Sequence, residues 1–110
     1  MSNQSVVFIC SPYAGDVDAN VRRAKEYGRF AIAEQSVPII PHLMYPQILR
    51  DGDPKERQLG IDLGLTLLER CDELWVFGDF ISSGMRVEID KAKELGIPLR
   101  SFASDIMNKD

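Results

Sequence analysis

Short apolar runs alternate with longer stretches of helical periodicity along this chain of 110 residues. The runs contain many β-branched residues and are too short for helices, which favours buried strands. The stretches between them repeat apolar residues every three or four positions, as one face of a helix does. Strands are predicted over Val6–Cys10, residues 37–40, Glu73–Phe77 and Leu99–Phe102.

Three helices are predicted between these strands. Asp53 can cap the second helix, Pro54 suits its first position, and Glu56 follows the cap by three residues. Gly96 is expected to end the third helix. The helices are expected over about residues 18–35, 54–70 and 84–95, with residues 41–52 as a loop. The first helix is expected to bury one face that carries Ala24, Tyr27, Gly28, Ala31 and Ile32.

The alternation of strands and helices predicts an α/β fold. Because the connections are short, the strands should be parallel and helices should cover both faces of the sheet. We therefore expect a small Rossmann-like three-layer sandwich with a mostly parallel four-stranded sheet, in which Pro38 marks an edge strand. Ligands bind such sheets beyond the carboxyl ends of the strands. The loops expected to meet there are residues 11–18, 41–52 and 78–83.

The composition predicts a single domain over residues 1–110. Hydrophobic residues make up 45% of the chain, enough for one core, and the 27% of charged residues is not typical of disorder. Seventeen acidic and 13 basic residues leave a net charge of −4, which disfavours nucleic acid as a partner. No apolar run approaches the ~20 residues that span a membrane. The first residues lack a secretory signal, so we expect a cytoplasmic protein without membrane contact.

Neither a metal nor a cofactor is predicted. Cys10 and Cys71 lie far apart, each next to an apolar run, and are expected to be buried reduced thiols. The chain has a single histidine, which disfavours a structural zinc site. The loop after the first strand lacks the glycine-rich dinucleotide fingerprint and the phosphate-loop lysine, which disfavours an NAD or ATP site.

Glu88 breaks the pattern of the last helix, because it lies within that helix's apolar stripe. A carboxylate on such a stripe is costly unless it is paired or faces a cavity. Helical side chains lean toward the amino terminus, so Glu88 is expected to project over Gly84 into the cleft. The alternative is a glutamate held by the helix dipole and backbone amides. The apolar members of the stripe are Met85, Ile89, Ala92 and Leu95.

The segment Ser82-Ser83-Gly84 opens the same helix. Free backbone N–H groups and the positive end of the helix dipole favour an anion there, so a phosphate or a sugar hydroxyl can dock. Ser82 or Ser83 can instead serve as a simple N-cap, and the two roles are compatible.

Three further polar residues are candidates for the cleft. Tyr13 can stack on a base or hydrogen-bond a carboxylate, or it can pack at the edge of its loop. His42 follows the second strand, and nothing in the sequence pairs it with a serine or cysteine as in a hydrolase triad. Asp62 lies in a helix that is apolar nearly all round, and either faces the cleft or pairs with an arginine across a dimer interface.

The chain resembles the nucleoside 2-deoxyribosyltransferase-like superfamily, in particular its small members. The resemblance runs over nearly the whole chain, through VVFICSPYAG, PHLMYPQ, ERCDELWVFG and SSGMRVEIDKAKELGIPL. Residues 82–88 are similar to the Asp-Ser-Gly-Thr-x-x-Glu segment of the transferases, whose glutamate is the nucleophile. That glutamate corresponds to Glu88, and Tyr13 corresponds more loosely to the tyrosine that orients it. Ser82 stands where the family has an aspartate that assists proton transfer.

The resemblance implies an enzyme that cleaves or transfers the N-glycosidic bond of a nucleoside or nucleotide. Its expected catalytic residues are Glu88, Tyr13 and Asp62, with Asp62 or Asp79 as the candidate acid. Serine is not an acid at neutral pH, so a non-catalytic protein that binds or sequesters a nucleotide-derived molecule is the alternative. The expected substrate-binding residues are Ser11, Pro12, His42, Asp79, Ser82, Ser83, Gly84 and Met85.

A third hypothesis is a plain interaction module that uses residues 59–68 as a dimer face. The helix that contains this segment is apolar on too many sides for a small monomer. We therefore expect a homodimer or a larger homo-oligomer under each of the three hypotheses.

Overall fold

A computed structural model of the chain describes residues 4–50 and 52–103. The strands in this part of the chain are β1 (Val6–Cys10), β2 (Val37–Ile39), β3 (Glu73–Phe77) and β4 (Leu99–Phe102). The helices are α1 (Val17–Ala33), α2 (Tyr45–Ile48), α3 (Pro54–Leu68) and α4 (Ser83–Leu95), and a 3₁₀ turn covers Pro41–Leu43.

The described strands form one parallel sheet in the order β2-β1-β3-β4. This arrangement confirms the predicted Rossmann-like α/β class, and β2 lies at the edge, as Pro38 predicts. The chain adds β2 on one side of β1 and then crosses to add β3 and β4 on the other side. The direction in which strands are added therefore reverses between β1 and β3. In sheets of this kind, the loops that follow the two strands diverge at such a point and leave a crevice.

The helices lie on both faces of the sheet. Parallel crossovers are right-handed, so strands added to opposite sides of β1 bring their helices to opposite faces. Successive residues of β1 alternate between the two layers, as the pleat requires. On one face, α1 packs on β1 and β3 through Val7, Ile9, Tyr27, Ala31, Trp75 and Phe77. On the other face, α3 and α4 pack through Phe8, Cys10, Leu68, Leu74, Val76, Met85 and Ile89.

The structure corrects two local predictions. Ile32 lies about 100° around α1 from the buried Ala31 and is 62% exposed, so it does not belong to the buried face. The segment 41–52 is not simply a loop, because it contains the 3₁₀ turn and α2. Pro41 and Pro46 lie in the first turns of these elements, where the fixed φ of proline suits a helical start.

The start of α3 matches the prediction only in part. Asp53 is the N-cap, and its Oδ1 accepts a hydrogen bond from Lys55 N at 2.9 Å. Glu56 does not complete a capping box, because its Oε1 accepts from Arg50 N at 2.7 Å instead. That bond ties the segment before α3 to the first turn of the helix.

One side of α3 is open in the single chain. The buried residues of this helix are Gly64 and Leu68, whereas Leu59 is 46% exposed. The helix is therefore not sandwiched within the chain, which leaves Leu59 available for contact with another molecule.

Both cysteines, Cys10 and Cys71, are buried free thiols, as predicted. Within residues 4–50 and 52–103, no helix combines the length and the apolar character that a membrane crossing requires.

Candidate active site

A cavity of about 360 Å³ opens at the carboxyl edge of the sheet, where the parallel topology predicts a ligand site. Its walls are the loop after β1, the segment from Pro41 to Arg50, one side of α3 and the start of α4. Small-molecule sites in proteins usually have about 300–1,000 Å³. The cavity therefore has room for a small ligand.

The carboxyl group of Glu88 lies on the wall of this cavity. Its Oε1 is buried and has no hydrogen-bond partner in the described part of the chain. Burial raises the pKa of Glu88 to about 7, although the nearby Cys10 thiol lowers it in part. A buried oxygen without a partner costs free energy, so this carboxyl group is arranged for something other than stability.

Space is available next to Glu88 at the start of α4. A Cβ atom on Gly84 would have no neighbouring atom within 4 Å, and Gly84 lines the cavity. Glu88 lines the same cavity, so the glycine leaves space open on the wall that carries the carboxyl group.

Cys10 lies at the end of β1, beneath the Glu88 carboxyl group. Its thiol has two acceptors within reach, the Met85 carbonyl oxygen at 3.8 Å and the carboxyl group itself. Burial, and then the charge of Glu88, raise the pKa of the Cys10 thiol far above its ordinary value. The thiol therefore stays protonated and acts as a weak donor rather than as a nucleophile.

Ser82 caps α4, and its Oγ accepts a hydrogen bond from Met85 N at 3.3 Å. Ser82, Ser83, Gly84 and Met85 all line the cavity. The first backbone N–H groups of a helix lack partners inside the helix. The N–H groups of Ser83 and Gly84 are therefore available to an acceptor in the cavity.

Tyr13 and His42 form a ring pair on the cavity wall. Their ring centroids are 5.0 Å apart with a tilt of 31°. Asn20, a buried residue of α1, anchors the loop that carries Tyr13, because its Nδ2 donates to the carbonyl oxygens of Tyr13 and Ala14 at 3.0 and 3.1 Å. The sequence analysis did not single out Asn20, although a polar residue on the inner face of a helix was a usable signal.

His42 is held in place by a hydrogen bond to the backbone at the end of β1. Its Nε2 lies 3.0 Å from the carbonyl oxygen of Ser11, and because a carbonyl only accepts, Nε2 carries the proton. Burial lowers the pKa of His42, and the bond to Ser11 offsets this only in part. A neutral ring with a protonated Nε2 leaves Nδ1 as an acceptor.

Ser11 is itself buried, and its Oγ has no partner in the described part of the chain. Ser11 and Glu88 thus both line this cavity, and each has a buried oxygen without a partner in the described part of the chain. Ligand sites commonly leave such groups unpaired until the ligand arrives.

The structure does not bring three of the predicted residues to the cavity. Pro12 is half-buried and lies next to Gly78. Asp62 lies on the exposed side of α3, where its Oδ1 accepts from Gln58 Nε2 at 3.0 Å. Asp79 is exposed, and its charge acts on Tyr27 of α1, which packs on the opposite face of the sheet. The predicted residues that do line the cavity are Ser11, Tyr13, His42, Ser82, Ser83, Gly84, Met85 and Glu88.

The sequence analysis missed the polar residues that α3 and the segment before it contribute. These are Arg50, Glu56 and Arg57, which line the cavity together with Tyr45. Nothing in the local pattern separates them from solvated charges at a helix start, so the signal was weak. Glu56 is the other carboxylate on the wall in the described part of the chain.

Residues 4–50 and 52–103 contain no group of three histidine, cysteine, aspartate or glutamate side chains that could hold a metal ion. The polar groups that line the cavity include hydroxyls, backbone N–H groups, guanidinium groups and the acceptor nitrogen of an imidazole. Such a mixture suits a polar organic ligand with hydroxyl or anionic groups.

The fold and the cavity define a small parallel α/β protein with a ligand site at its carboxyl edge. Residues 5–102 match the model of the family described as a domain of unknown function, DUF7768, and the chain belongs to this family.

The fold is similar to that of a 2-deoxyribosyltransferase from the psychrotolerant bacterium Bacillus psychrosaccharolyticus, with a TM-score of 0.75 and 15% sequence identity. The match covers 90% of this chain and 72% of that one. At this identity the likeness establishes the fold. No curated protein sequence matches the chain significantly.

Proposed function

We propose that the protein acts on the N-glycosidic bond of a nucleoside or nucleotide, with Glu88 as the nucleophile. The observation that carries the proposal is the buried Oε1 of Glu88, which has no partner and lies on the wall of a ligand-sized cavity. Two further points support it: the similarity of the fold to a 2-deoxyribosyltransferase and the resemblance of residues 82–88 to the nucleophile segment of the transferases, in which Ser82 departs from the family aspartate.

In the proposed reaction, a carboxylate oxygen of Glu88 attacks C1′ of the sugar. The bond between C1′ and the base nitrogen breaks, and the base leaves with the electron pair and takes up a proton. The resulting glycosyl ester is then attacked by water, which releases the free sugar, or by a second base, which forms a new nucleoside. Attack requires the ionised carboxylate, and a pKa of about 7 leaves a large ionised fraction at neutral pH.

The other residues of the wall would hold the substrate. The free N–H groups of Ser83 and Gly84 suit a 5′-hydroxyl or a phosphate oxygen. The ring pair of Tyr13 and His42 offers an aromatic surface beside the base and the sugar, and the unprotonated Nδ1 of His42 accepts from a hydroxyl or amino group.

The proton for the departing base has no obvious carboxylic donor. Asp62 and Asp79, the residues expected to supply it, lie outside the cavity, and Ser82 is a helix cap. Glu56 is the remaining carboxyl group on the wall, and its Oε1 already accepts from Arg50 N. This observation favours the second candidate function, a protein that binds or sequesters a nucleotide-derived molecule without turnover.

The experiment that separates the two functions measures base release from a panel of nucleosides and nucleoside monophosphates. We expect release by the wild type and none by Glu88→Ala or Glu88→Gln, because neither variant has a nucleophile. Glu94→Gln is the matched control, because Glu94 is an exposed residue of the same helix.

If the wild type releases no base from any compound, the enzyme proposal is wrong. A rise in melting temperature with one of the same compounds then identifies the protein as a binder.

A further inference from the structure

Two arginines stand on the α3 side of the cavity, and the proposed chemistry does not use them. Arg50 lies just before α3 and Arg57 lies near its start, and both are exposed residues of the cavity wall. The ion pairs found among residues 4–50 and 52–103 are Arg86 with Asp90 and Lys91 with Glu69. Neither Arg50 nor Arg57 is therefore paired with a carboxylate in that part of the chain.

Asp53, Glu56 and Asp62, the acidic residues that the structure describes in this segment, are already engaged. Each of the three accepts a hydrogen bond from a backbone or amide N–H group of a near neighbour. The bonds are Lys55 N to Asp53 Oδ1 at 2.9 Å, Arg50 N to Glu56 Oε1 at 2.7 Å and Gln58 Nε2 to Asp62 Oδ1 at 3.0 Å. Without a salt bridge in the described part of the chain, these two arginines of the cavity wall can pair with an anionic ligand.

A second hollow lies at the start of α3, with Gly52, Pro54 and Gln58 on its wall. Arg57 and Ile61 line both this hollow and the cavity. Because Glu88 and Arg57 line the same cavity, a ligand that fills it from wall to wall contacts both residues.

We propose that Arg50 and Arg57 form an anion subsite that binds a phosphate group, so that the substrate is a nucleoside phosphate rather than a neutral nucleoside. The nucleoside part of this inference rests on the proposed function. Guanidinium groups match phosphate oxygens in charge and in bidentate geometry. The net charge of the chain is −4, so the attraction that a phosphate needs must be local. Two arginines on the cavity wall, with no carboxylate partner among residues 4–50 and 52–103, supply it.

The test uses ribose, ribose 5-phosphate and inorganic phosphate, which have no N-glycosidic bond and are not turned over. Calorimetric titration of the wild type is expected to show ribose 5-phosphate binding at least tenfold more tightly than ribose. Arg50→Gln and Arg57→Gln should each weaken binding of both phosphate compounds about tenfold or more and leave ribose binding unchanged, because each removes a charge-assisted hydrogen bond to the phosphate. The control is Arg70→Gln, an exposed arginine beyond the end of α3.

The inference is overturned if ribose and ribose 5-phosphate bind the wild type equally. It is also overturned if neither phosphate compound binds more weakly to the two variants while their unfolding curves match the wild type. Nucleoside 5′- and 3′-monophosphates, titrated into Glu88→Gln, then identify the sugar position that carries the phosphate.

Failure of this inference differs from failure of the proposed function. Base release that requires Glu88, together with equal binding of ribose and ribose 5-phosphate, would support the enzyme and contradict the phosphate subsite. Phosphate binding that requires the arginines, without release of base from any compound, would keep the subsite and contradict the enzyme.

Discussion

The imidazole Nε2 of His42 donates a hydrogen bond to the carbonyl oxygen of Ser11 across 3.0 Å. The bond joins the segment after β2 to the end of β1, the two neighbouring strands on one side of the sheet. It also fixes which ring nitrogen carries the proton, so the histidine presents a constant hydrogen-bonding pattern to the cavity.

The first prediction concerns the titration of His42. Burial lowers its pKa below 6.5, so the folded protein takes up this proton only at lower pH than the unfolded chain. Below pH 6.5 the unfolded chain binds this proton more readily than the folded protein does. The free energy of unfolding is therefore unaffected at neutral pH and decreases as the pH falls below 6.5. Heteronuclear NMR should show a neutral ring with the proton on Nε2 at pH 7 and a midpoint below 6.5, and a midpoint above 6.5 would contradict the prediction.

The second prediction concerns the cost of the buried charge on Glu88. The folded pKa of about 7 exceeds the ordinary value of 4.5, so the native state holds this proton more tightly than the unfolded chain. Stability is therefore lost as the pH rises from 4.5 to 7, by about 3 kcal/mol at 1.36 kcal/mol per pKa unit. Glu88→Gln has no such titration. The difference in free energy of unfolding between this variant and the wild type should therefore increase by this amount, in favour of the variant, between pH 4.5 and pH 8.

Denaturant unfolding at several pH values measures the Glu88 effect. Glu94→Gln, on the exposed side of α4, should show no comparable change with pH. A constant difference between Glu88→Gln and the wild type would indicate that the carboxyl group is solvated and not buried.

The third prediction uses the open space at Gly84. A Cβ atom there meets nothing within 4 Å, so Gly84→Leu should fold and should place its side chain in the space beside Glu88. We expect ligand binding or base release to fall at least tenfold. Gly84→Ala should keep most of the function and melt at a slightly higher temperature, because alanine favours the helix by up to about 1 kcal/mol.

Calorimetry and thermal unfolding of the two Gly84 variants test this expectation. If Gly84→Leu bound ligand as the wild type does, the start of α4 would not be part of the binding site.

The fourth prediction concerns self-association through α3. Leu59 is 46% exposed on the open side of this helix, and exposed apolar helix faces commonly mark interfaces. We expect sedimentation to show a dimer or larger assembly, and Leu59→Arg to shift it toward the monomer. Ile32→Arg is the control, because Ile32 is still more exposed but lies on α1. Dissociation by both substitutions, or by neither, would argue against α3 as the interface.

The architecture and the position of Glu88 were predictable because both depend on periodicity. A β-branched run such as Val6–Cys10 has few alternatives to a buried strand. A carboxylate on an apolar stripe, such as Glu88, stands out because burial of a charge is costly.

Other parts of the site were not predictable, because they depend on tertiary contacts. Asp62 lies in a helix with apolar residues nearly all round, so the sequence does not tell which side faces the cavity. Arg50 and Arg57 have the same local pattern as solvated charges, and only the folded chain shows that they line a cavity.

Glu56 shows how a local rule gives way to the fold. Its position three residues after Asp53 is typical of a capping box, but the segment before α3 turns back and supplies the Arg50 N–H group instead. The sequence pattern gave the helix start correctly and the hydrogen-bond partner incorrectly, because the competing donor came from the turn at Arg50.

The short edge strand β2 limits how copies of this protein can join. Val37 N donates to Ser5 O beside β1, and because strand amides alternate in direction, the amide of the next residue would point outward. That residue is Pro38, which has no N–H group to offer. A strand of a second molecule that paired with this edge would find no N–H donor at position 38. The hydrogen-bond ladder would be interrupted there, so the sheet does not extend from one molecule into the next along this edge.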